Sequence, residues 1–176
     1  KQKGLDYSLI TQEAEKSFPL RSLIRPDDSR FAKIGGMIKK VQDYCRETHQ
    51  PVPRSIGEIS RCILDSLALL YREELDGVQE LTHRKIKQLH IVGGGCRNDV
   101  LNQATANATG RVVVTGPVEA TAMGNILVQA IAMKEVKNIH ALRKIVRRSH
   151  PFNTFKPQSA ATWAKAYTFF KKLPKS

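Results

Sequence analysis

The stretch His90-Ile91-Val92-Gly93-Gly94-Gly95-Cys96-Arg97-Asn98 decides the fold of this 176-residue chain. The apolar residues before the glycines predict a strand over 87–92, and the residues after them predict a helix over 98–109. Glycines without a Cβ allow positive φ and let a ligand touch the main chain, while a helix start offers free amide groups. A strand that runs through three glycines into a helix therefore suits the phosphate or sugar-phosphate part of a nucleotide.

Taken as a pattern alone, this glycine turn, residues 93–95, leaves two interpretations open. It is not a Walker A loop, because no Gly-Lys-Ser/Thr follows, and Cys96-Arg97-Asn98 breaks the G-x-G-x-x-G spacing. The turn is then either a nucleotide contact or merely a tight connection between a strand and a helix.

The elements around the glycine turn follow from periodicity and from turn residues. The β-branched run over 111–115 predicts a second, buried strand, and helical spacing returns over 120–133. Two more helices are expected over 138–148 and about 158–172, with a short extended stretch over 150–157 between them. The middle of the chain is therefore β-turn-α-β-α.

The first half of the chain is predicted to be helical. A short helical turn is expected over 11–16, and apolar residues at helical spacing run from Ile34 to Cys45. Ser55-Ile56-Gly57-Glu58 is a capping box that opens a long helix ending near Leu81-Thr82. An apolar stripe over 59–78 predicts that this helix lies in the core.

Charge is concentrated at the end of the chain. The sequence has 29 Lys and Arg against 16 Asp and Glu, a net charge of +13. Over 134–176, 11 Lys and Arg residues stand against Glu135 alone. Such a segment is either a solvated cationic face or a nucleic-acid site, and the sequence favours the first because no nucleic-acid-binding motif accompanies the charge.

Cysteine usage and hydropathy exclude several classes of protein. Cys45, Cys62 and Cys96 form no C-x-x-C pair and have no histidine at ligand spacing, which argues against a disulfide framework and a zinc site. No apolar run reaches the length of a membrane helix, and no secretory leader is expected. These observations predict a cytoplasmic protein without membrane contact.

Several motifs taken together resemble one known family. The runs His90 to Asn98, Leu101-Asn102-Gln103 and Val114-Thr115-Gly116-Pro117-Val118-Glu119-Ala120-Thr121-Ala122-Met123-Gly124-Asn125 are similar to the C-terminal domain of FGGY-family carbohydrate kinases. The resemblance covers roughly residues 5–157. It also includes Pro26-Asp27-Asp28-Ser29-Arg30-Phe31, Tyr44-Cys45-Arg46-Glu47-Thr48, Gln50-Pro51-Val52-Pro53, Ser66-Leu67-Ala68-Leu69 and Phe155-Lys156-Pro157.

The resemblance implies the C-terminal part of an actin-like ATPase (ribonuclease H-like) domain, an α/β fold with an incomplete mixed sheet flanked by helices. In this family ATP binds between two domains. Carried over residue by residue, Gly93, Gly94 and Gly95 would form the backbone cradle of the nucleotide, and Asn98 would be the polar contact to adenine.

Other positions of the motifs keep more than one interpretation. Glu119 is either a partner of a helix dipole or a ligand contact, and Asn125 either packs or contacts the nucleotide. Cys96 is expected to be a small buried residue, because no His or Lys is placed to activate it. The family tends to have glycine where Lys134 stands.

The resemblance also implies what is missing. Residues 1–157 would be the FGGY C-terminal domain, incomplete at its start, followed by a basic helix or tail over 158–176. The family's catalytic Asp, its phosphate loops and most of its sugar contacts lie in blocks that this chain does not contain. We therefore expect a fragment with no catalytic residue and no metal ligand of its own.

The implied activity belongs to an intact parent. That parent would transfer the γ-phosphoryl group of ATP, with Mg²⁺, to a ketose, with L-rhamnulose giving L-rhamnulose 1-phosphate as the expected reaction. The sugar would be held mainly by the absent domain. The isolated chain is expected to bind ATP or ADP, to lack kinase activity and to self-associate.

Two alternatives from other classes stay open. The chain could be a stand-alone nucleotide-binding or regulatory module, or a basic nucleic-acid binder that uses residues 134–176. A steep loss of affinity with salt would distinguish nucleic-acid binding, because that binding depends on phosphate neutralisation. The coding sequence before Lys1 would distinguish the kinase fragment from the stand-alone module.

Overall fold

The computed structural model describes residues 6–175. Residues 1–5 of the predicted domain over 1–157 and Ser176 of the predicted basic segment over 158–176 lie outside the described residues. Eight α-helices and three strands are seen in this range. In chain order they are α1 (Tyr7–Lys16), α2 (Ser29–Ala32), α3 (Met37–Glu47), α4 (Ile56–Thr82), β1 (Gln88–Ile91), α5 (Asp99–Thr109), β2 (Val112–Thr115), α6 (Ala120–Ala132), α7 (Ile139–Ser149), β3 (Thr154–Phe155) and α8 (Ala160–Phe170).

The three strands of the described residues form one mixed sheet in the order β1-β2-β3. β1 and β2 are parallel, with Gln88 opposite Val112, as expected when a helix connects two strands. β3 is antiparallel to β2, with Thr154 opposite Val114. The extended stretch predicted over 150–157 therefore adds a third strand to the two that periodicity indicated.

The predicted capping box is confirmed, and two further helix ends have local caps. The Glu58 amide donates to Ser55 Oγ at 3.1 Å, and the Ser55 amide donates to Glu58 Oε2 at 3.3 Å, which completes the capping box of α4. Asn138 Oδ1 accepts two amide hydrogen bonds at the start of α7. Gly110 ends α5 with a φ of 67°, a left-handed conformation that glycine adopts without a steric cost.

Two helix starts differ from the sequence-based expectation. α1 begins at Tyr7, because Asp6 Oδ1 accepts the Ser8 amide at 2.9 Å and caps the helix there. α3 begins at Met37, after Gly35 and Gly36, both of which have positive φ and interrupt the helical pattern. Ile34, predicted to begin that helix, is fully exposed instead.

The main core is formed by helices from both ends of the chain. Its apolar members come from α3, α4, α5 and α8, from the loop before α2 and from the segment after α8; they are Leu23, Ile24, Val41, Tyr44, Cys45, Ile59, Cys62, Ala68, Leu69, Ala104, Ala108, Trp163, Tyr167, Phe170 and Leu173. The predicted stripe on α4 is therefore right over its first half. Further along α4, Leu75 is buried, whereas Tyr71 and Val78 are exposed.

A buried arginine connects the C-terminal helix to this core. The Arg25 guanidinium is 1% exposed, pairs with Asp27 at 2.9 Å and Glu73 at 2.7 Å, and lies 4.3 Å from the centre of the Phe170 ring. Lys175 pairs with the same Asp27 carboxylate at 3.0 Å. The helix expected over 158–172 is thus packed against the helical core, whereas the domain boundary at residue 157 stays a prediction.

The segment from α6 to α7 is packed very differently. None of the thirteen residues of α6 is buried by the part of the chain that the structure describes. Ile126 and Val128 are 66% and 58% exposed, and Leu142 is the one buried residue of α7 in the same range. The turn after α6 places Lys134 at a φ of 65°, the position where glycine is expected from the family resemblance.

Candidate functional site

A groove of about 980 Å³ lies beside the glycine turn. Its walls come from α1, α4, α5, the segment 94–98 and β3. The residues that line it are Tyr7, Ser8, Thr11, Gln12, Glu15, Arg61, Gly94, Gly95, Arg97, Asn98, Asp99, Val100, Leu101, Gln103, Ala104, Asn107 and Phe155. Three of the four site residues predicted from the sequence, Gly94, Gly95 and Asn98, therefore share one groove.

The three glycines have different roles in the turn. Gly93 has a φ of 80° and its amide donates to the Pro117 carbonyl at 3.1 Å, so it makes the bend and does not line the groove. Gly94 and Gly95 have ordinary φ values, and a Cβ built on either would meet no heavy atom within 4 Å. The requirement for a left-handed residue thus falls on Gly93, while Gly94 and Gly95 leave open space beside the main chain.

Asn98 occupies the junction between the turn and α5. Its Oδ1 accepts the Leu101 amide at 3.0 Å, so the carbonyl oxygen is used as the helix cap. Its amide Nδ2 has no acceptor among residues 6–175 and remains available at the groove. The sequence-based role of Asn98 as a contact to adenine is compatible with this geometry through the NH₂ group, which makes no other hydrogen bond within residues 6–175.

Asn102 fixes the shape of the segment that follows the glycines, a role that the sequence analysis missed. Residues Gly94–Arg97 form one turn of 3-10 helix, and the fully buried Asn102 donates from Nδ2 to the Cys96 carbonyl at 2.9 Å. No signal in the sequence indicated this role, because the burial of the Asn102 amide is a property of the folded structure alone. Cys96 is buried as a small residue, as expected.

Arg61 on α4 is a second groove residue that the sequence did not single out. Its Nε donates to both oxygens of the buried Asp65 carboxylate, at 2.9 and 3.0 Å, and the Leu20 amide donates to Asp65 Oδ2 at 2.7 Å. Burial raises the pKa of Asp65, and the charge of Arg61 and the Leu20 hydrogen bond oppose that shift. The arginine is therefore held in place by an anion that is removed from water.

The remaining charged groups of the groove are of both signs. Arg97 is exposed and has no ion-pair partner within the described residues, while Glu15 and Asp99 are exposed carboxylates on the same groove. Glu119 and Asn125, for which a ligand role was left open, do not line it. Glu119 precedes α6 without a side-chain cap, and Asn125 is exposed on α6.

Two further properties bear on the chemistry available here. Residues 6–175 contain no group of three or more His, Cys, Asp and Glu side chains placed to hold a metal ion. Each helix seen in that range is too short or too polar to cross a bilayer.

Sequence comparisons identify a protein family and relatives that this chain resembles. The sequence model described as the FGGY family of carbohydrate kinases, C-terminal domain, matches residues 2–133. The rhamnulokinase of Bacteroides thetaiotaomicron is 48% identical over 165 residues, covering 94% of this chain and 34% of that protein. The rhamnulokinase of Bacillus subtilis is 46% identical over 155 residues, covering 87% of this chain and 32% of that protein. The chain thus spans about a third of the length of these curated relatives.

Solved structures show the same fold at low sequence identity. The glycerol kinase of Plasmodium falciparum with ADP superposes with a TM-score of 0.70 at 16% identity, covering 95% of this chain and 33% of that one. The xylulose kinase of Rhodospirillum rubrum gives 0.56 at 19% identity, covering 70% and 25%. These likenesses confirm the α/β, actin-like ATPase class predicted for the chain, with its small mixed sheet flanked by helices.

Proposed function

The chain belongs to the FGGY family of carbohydrate kinases, and on that basis we propose that it is the nucleotide-binding part of an ATP-dependent sugar kinase. The whole protein transfers the γ-phosphoryl group of ATP to a ketose. The names of the two bacterial relatives support L-rhamnulose as the sugar and L-rhamnulose 1-phosphate as the product. We expect the protein in the cytoplasm, where ATP is available.

The observation that carries the proposal is the open space over Gly94 and Gly95 in a groove that also holds Asn98. A nucleotide phosphate needs close approach to backbone N–H groups, and a side chain at either glycine would occupy that space. The residues present therefore fit an adenine nucleotide. Gly93 makes the bend, Gly94 and Gly95 form the cradle, and the Asn98 NH₂ group donates to the adenine ring.

The work of this chain in the reaction is to bind and orient. When bound, ATP would supply the transferable phosphoryl group, together with the Mg²⁺ that its phosphates would carry. The rigid turn, held by Asn102 and by the Gly93 to Pro117 hydrogen bond, fixes one end of the nucleotide relative to α5. Orientation of this kind accounts for much of catalysis in phosphoryl transfer, since the reaction needs little covalent chemistry from the protein.

The proton of the sugar hydroxyl is removed elsewhere in the whole protein. General-base catalysis requires a carboxylate within hydrogen-bond reach of that hydroxyl, and the groove carboxylates Glu15 and Asp99 are exposed at the nucleotide side. The chain by itself is therefore a nucleotide-binding piece without turnover. Closure against the rest of the kinase excludes water, which otherwise competes with the sugar for the phosphoryl group.

The decisive experiment uses Gly94→Val and measures ADP affinity by calorimetry. A Cβ at Gly94 meets no protein atom within 4 Å, so we expect the fold to be retained, whereas the bound nucleotide loses its close approach to the main chain. We expect ADP affinity to fall on the order of tenfold, about 1.4 kcal/mol. Gly77→Val on α4 is the matched control, since a Cβ there is also unobstructed but lies outside the groove.

An unchanged ADP affinity in folded Gly94→Val would rule out the cradle. A coupled ADP-release assay with ATP and L-rhamnulose then tests the activity. The whole protein is expected to turn over and the 176-residue chain to stay at background. Turnover by the chain alone would show that its own residues supply the base.

A further inference from the structure

Arg61 is the groove residue that the proposed nucleotide contacts leave unused. It lines the same groove as Gly94, Gly95 and Asn98, with 15% of its side chain exposed. Only its Nε–H is engaged, in the two hydrogen bonds to Asp65. The four N–H groups on its two terminal nitrogens have no protein acceptor within residues 6–175.

The position of Arg61 is fixed before any ligand arrives. Asp65 is fully buried one helical turn along α4, and the Leu20 amide holds its Oδ2 at 2.7 Å. A buried carboxylate with two such partners has little freedom to move, and the guanidinium plane of Arg61 is held with it. An arginine preorganised in this way loses little conformational entropy when it binds a ligand.

The geometry of the pair distinguishes an anion site from a simple salt bridge. An arginine that only neutralises a carboxylate commonly pairs through two parallel N–H groups, of which at least one is terminal. Here both carboxylate oxygens share Nε, and the terminal nitrogens of Arg61, which is one of the residues lining the groove, are left without a protein acceptor within residues 6–175. The fork that they form matches the oxygens of a phosphate group in shape and charge.

We propose that Arg61, oriented by Asp65, is an anion-binding residue of the groove that donates its terminal N–H groups to a phosphate of the bound nucleotide. The inference rests on the proposed nucleotide binding and deepens it. It adds a phosphate contact from α4 to the contacts from the glycine turn. It also gives Asp65 the part of a positioning residue, which touches no ligand itself.

The test compares ligands that differ in phosphate. Calorimetry measures the affinity of the unsubstituted chain, called the parent chain in these tests, and of Arg61→Gln for ADP, adenosine and pyrophosphate. Loss of a charge-assisted contact is expected to lower ADP affinity about tenfold or more and to change adenosine affinity less than about twofold. Arg84→Gln removes the same charge outside the groove and is expected to change neither.

Two further variants separate binding from folding, because Arg61→Gln leaves a buried carboxylate without its cation and is expected to destabilise the chain. Arg61→Lys keeps the charge beside Asp65 but lacks the planar fork, so ADP affinity falls while the melting temperature stays near that of the parent. The double variant Arg61→Gln with Asp65→Asn replaces the ion pair by two amides and is expected to fold and to bind ADP weakly.

Each outcome decides the proposal. Parent-like ADP affinity in folded Arg61→Lys and in the double variant would overturn it, and so would equal losses of ADP and adenosine affinity. If the parent binds neither ADP nor adenosine, the proposed function fails and pyrophosphate decides the inference separately. Pyrophosphate binding that needs Arg61 supports the anion site, and its absence overturns it.

Discussion

The C-terminal helix α8 and the helix α6 are both apolar, yet α8 is buried in the core and α6 is exposed. In α8 the side chains of Trp163, Tyr167 and Phe170 are buried against α3, α4 and α5. In α6 the side chains of Ile126 and Val128 are largely exposed. Composition alone does not bury a helix, because burial requires a complementary surface within reach.

The difference has a physical source in what faces each helix. α8 packs against a surface that includes the buried Arg25, which pairs with Asp27 and Glu73 and whose guanidinium lies over the Phe170 ring. Among the elements of residues 6–175, α6 has substantial contact only with α7, whose last turn carries Arg147 and Arg148. We call α8 and the core residues around it the closed region, because its apolar side chains are buried, and we call α6 and α7 the open region, because the apolar side chains of α6 are exposed.

The largest change in stability is expected from a substitution in the closed region. Phe170→Ala removes a fully buried ring from the core and from its contact with Arg25. We expect the free energy of unfolding to fall by about 3–5 kcal/mol in urea denaturation. The neighbouring Phe169, 44% exposed, is the matched control, and Phe169→Ala should cost about 1 kcal/mol or less. Similar losses from the two variants would contradict the burial of α8.

The second prediction concerns the open region and the self-association of the isolated chain. Exposed apolar surface on α6 is expected to make the sedimentation coefficient rise with concentration. Ile126→Lys should weaken association about tenfold, since it places charge in the contact between two chains of net charge +13. Thr162→Lys on the exposed side of α8 adds the same charge and should have little effect. A compact monomer at all concentrations would show that α6 needs no cover.

Acid should loosen the closed region through Asp27. Burial by itself would raise the pKa of Asp27, but hydrogen bonds from Arg25 and Lys175 outweigh it and lower the pKa from 3.8 to about 2. Because the folded pKa is depressed, the contribution is present above about pH 4 and is lost as the pH falls toward 2.

Urea midpoints measured between those pH values should fall less steeply in Asp27→Asn than in the parent. The carboxylate is partly exposed, so the difference is expected to be about 1 kcal/mol or less. Asp65 serves as the internal contrast. Its pKa is raised, so its protonation in the folded state does not add to the acid loss. Identical slopes in parent and variant would contradict the role of Asp27.

The smallest effect concerns the turn that ends α6. Lys134 has a φ of 65°, which costs a residue with a Cβ more than it costs glycine. Lys134→Gly is expected to raise the free energy of unfolding by about 0.5–1 kcal/mol, measured by thermal denaturation. Lys134→Ala removes the same charge without relieving φ, so it should give no gain. Equal effects of the two variants would attribute the change to charge.

Part of the candidate site could be predicted from the sequence, and part could not. The pattern of strand, glycines and helix, together with the family resemblance, predicted a common site for Gly94, Gly95 and Asn98, and all three residues line one groove. The pattern did not show that Gly93 makes the bend while Gly94 and Gly95 leave open space beside the main chain. Asn102 and Arg61 were missed, since a buried amide and a helix arginine acquire their roles only from what lies opposite them.

The sequence by itself determined the features that depend on neighbours within about four residues. These are the β-turn-α-β-α order, the capping box at Ser55 and Glu58, and the helix ends at Asn98, Gly110 and Asn138. Each rests on a local hydrogen bond or a local φ preference, which residue type and spacing are enough to indicate.

Only the tertiary structure decided which surfaces meet. Leu20 binds Asp65 across 45 residues, Tyr44 donates to the Pro174 carbonyl across 130 residues, and β3 pairs with a strand some forty residues earlier. The same is true of the burial of α8 and the exposure of α6, two helices that the sequence describes alike. A contact between distant segments depends on the shape and charge of both partners at once, and periodicity along one segment carries no information about the other.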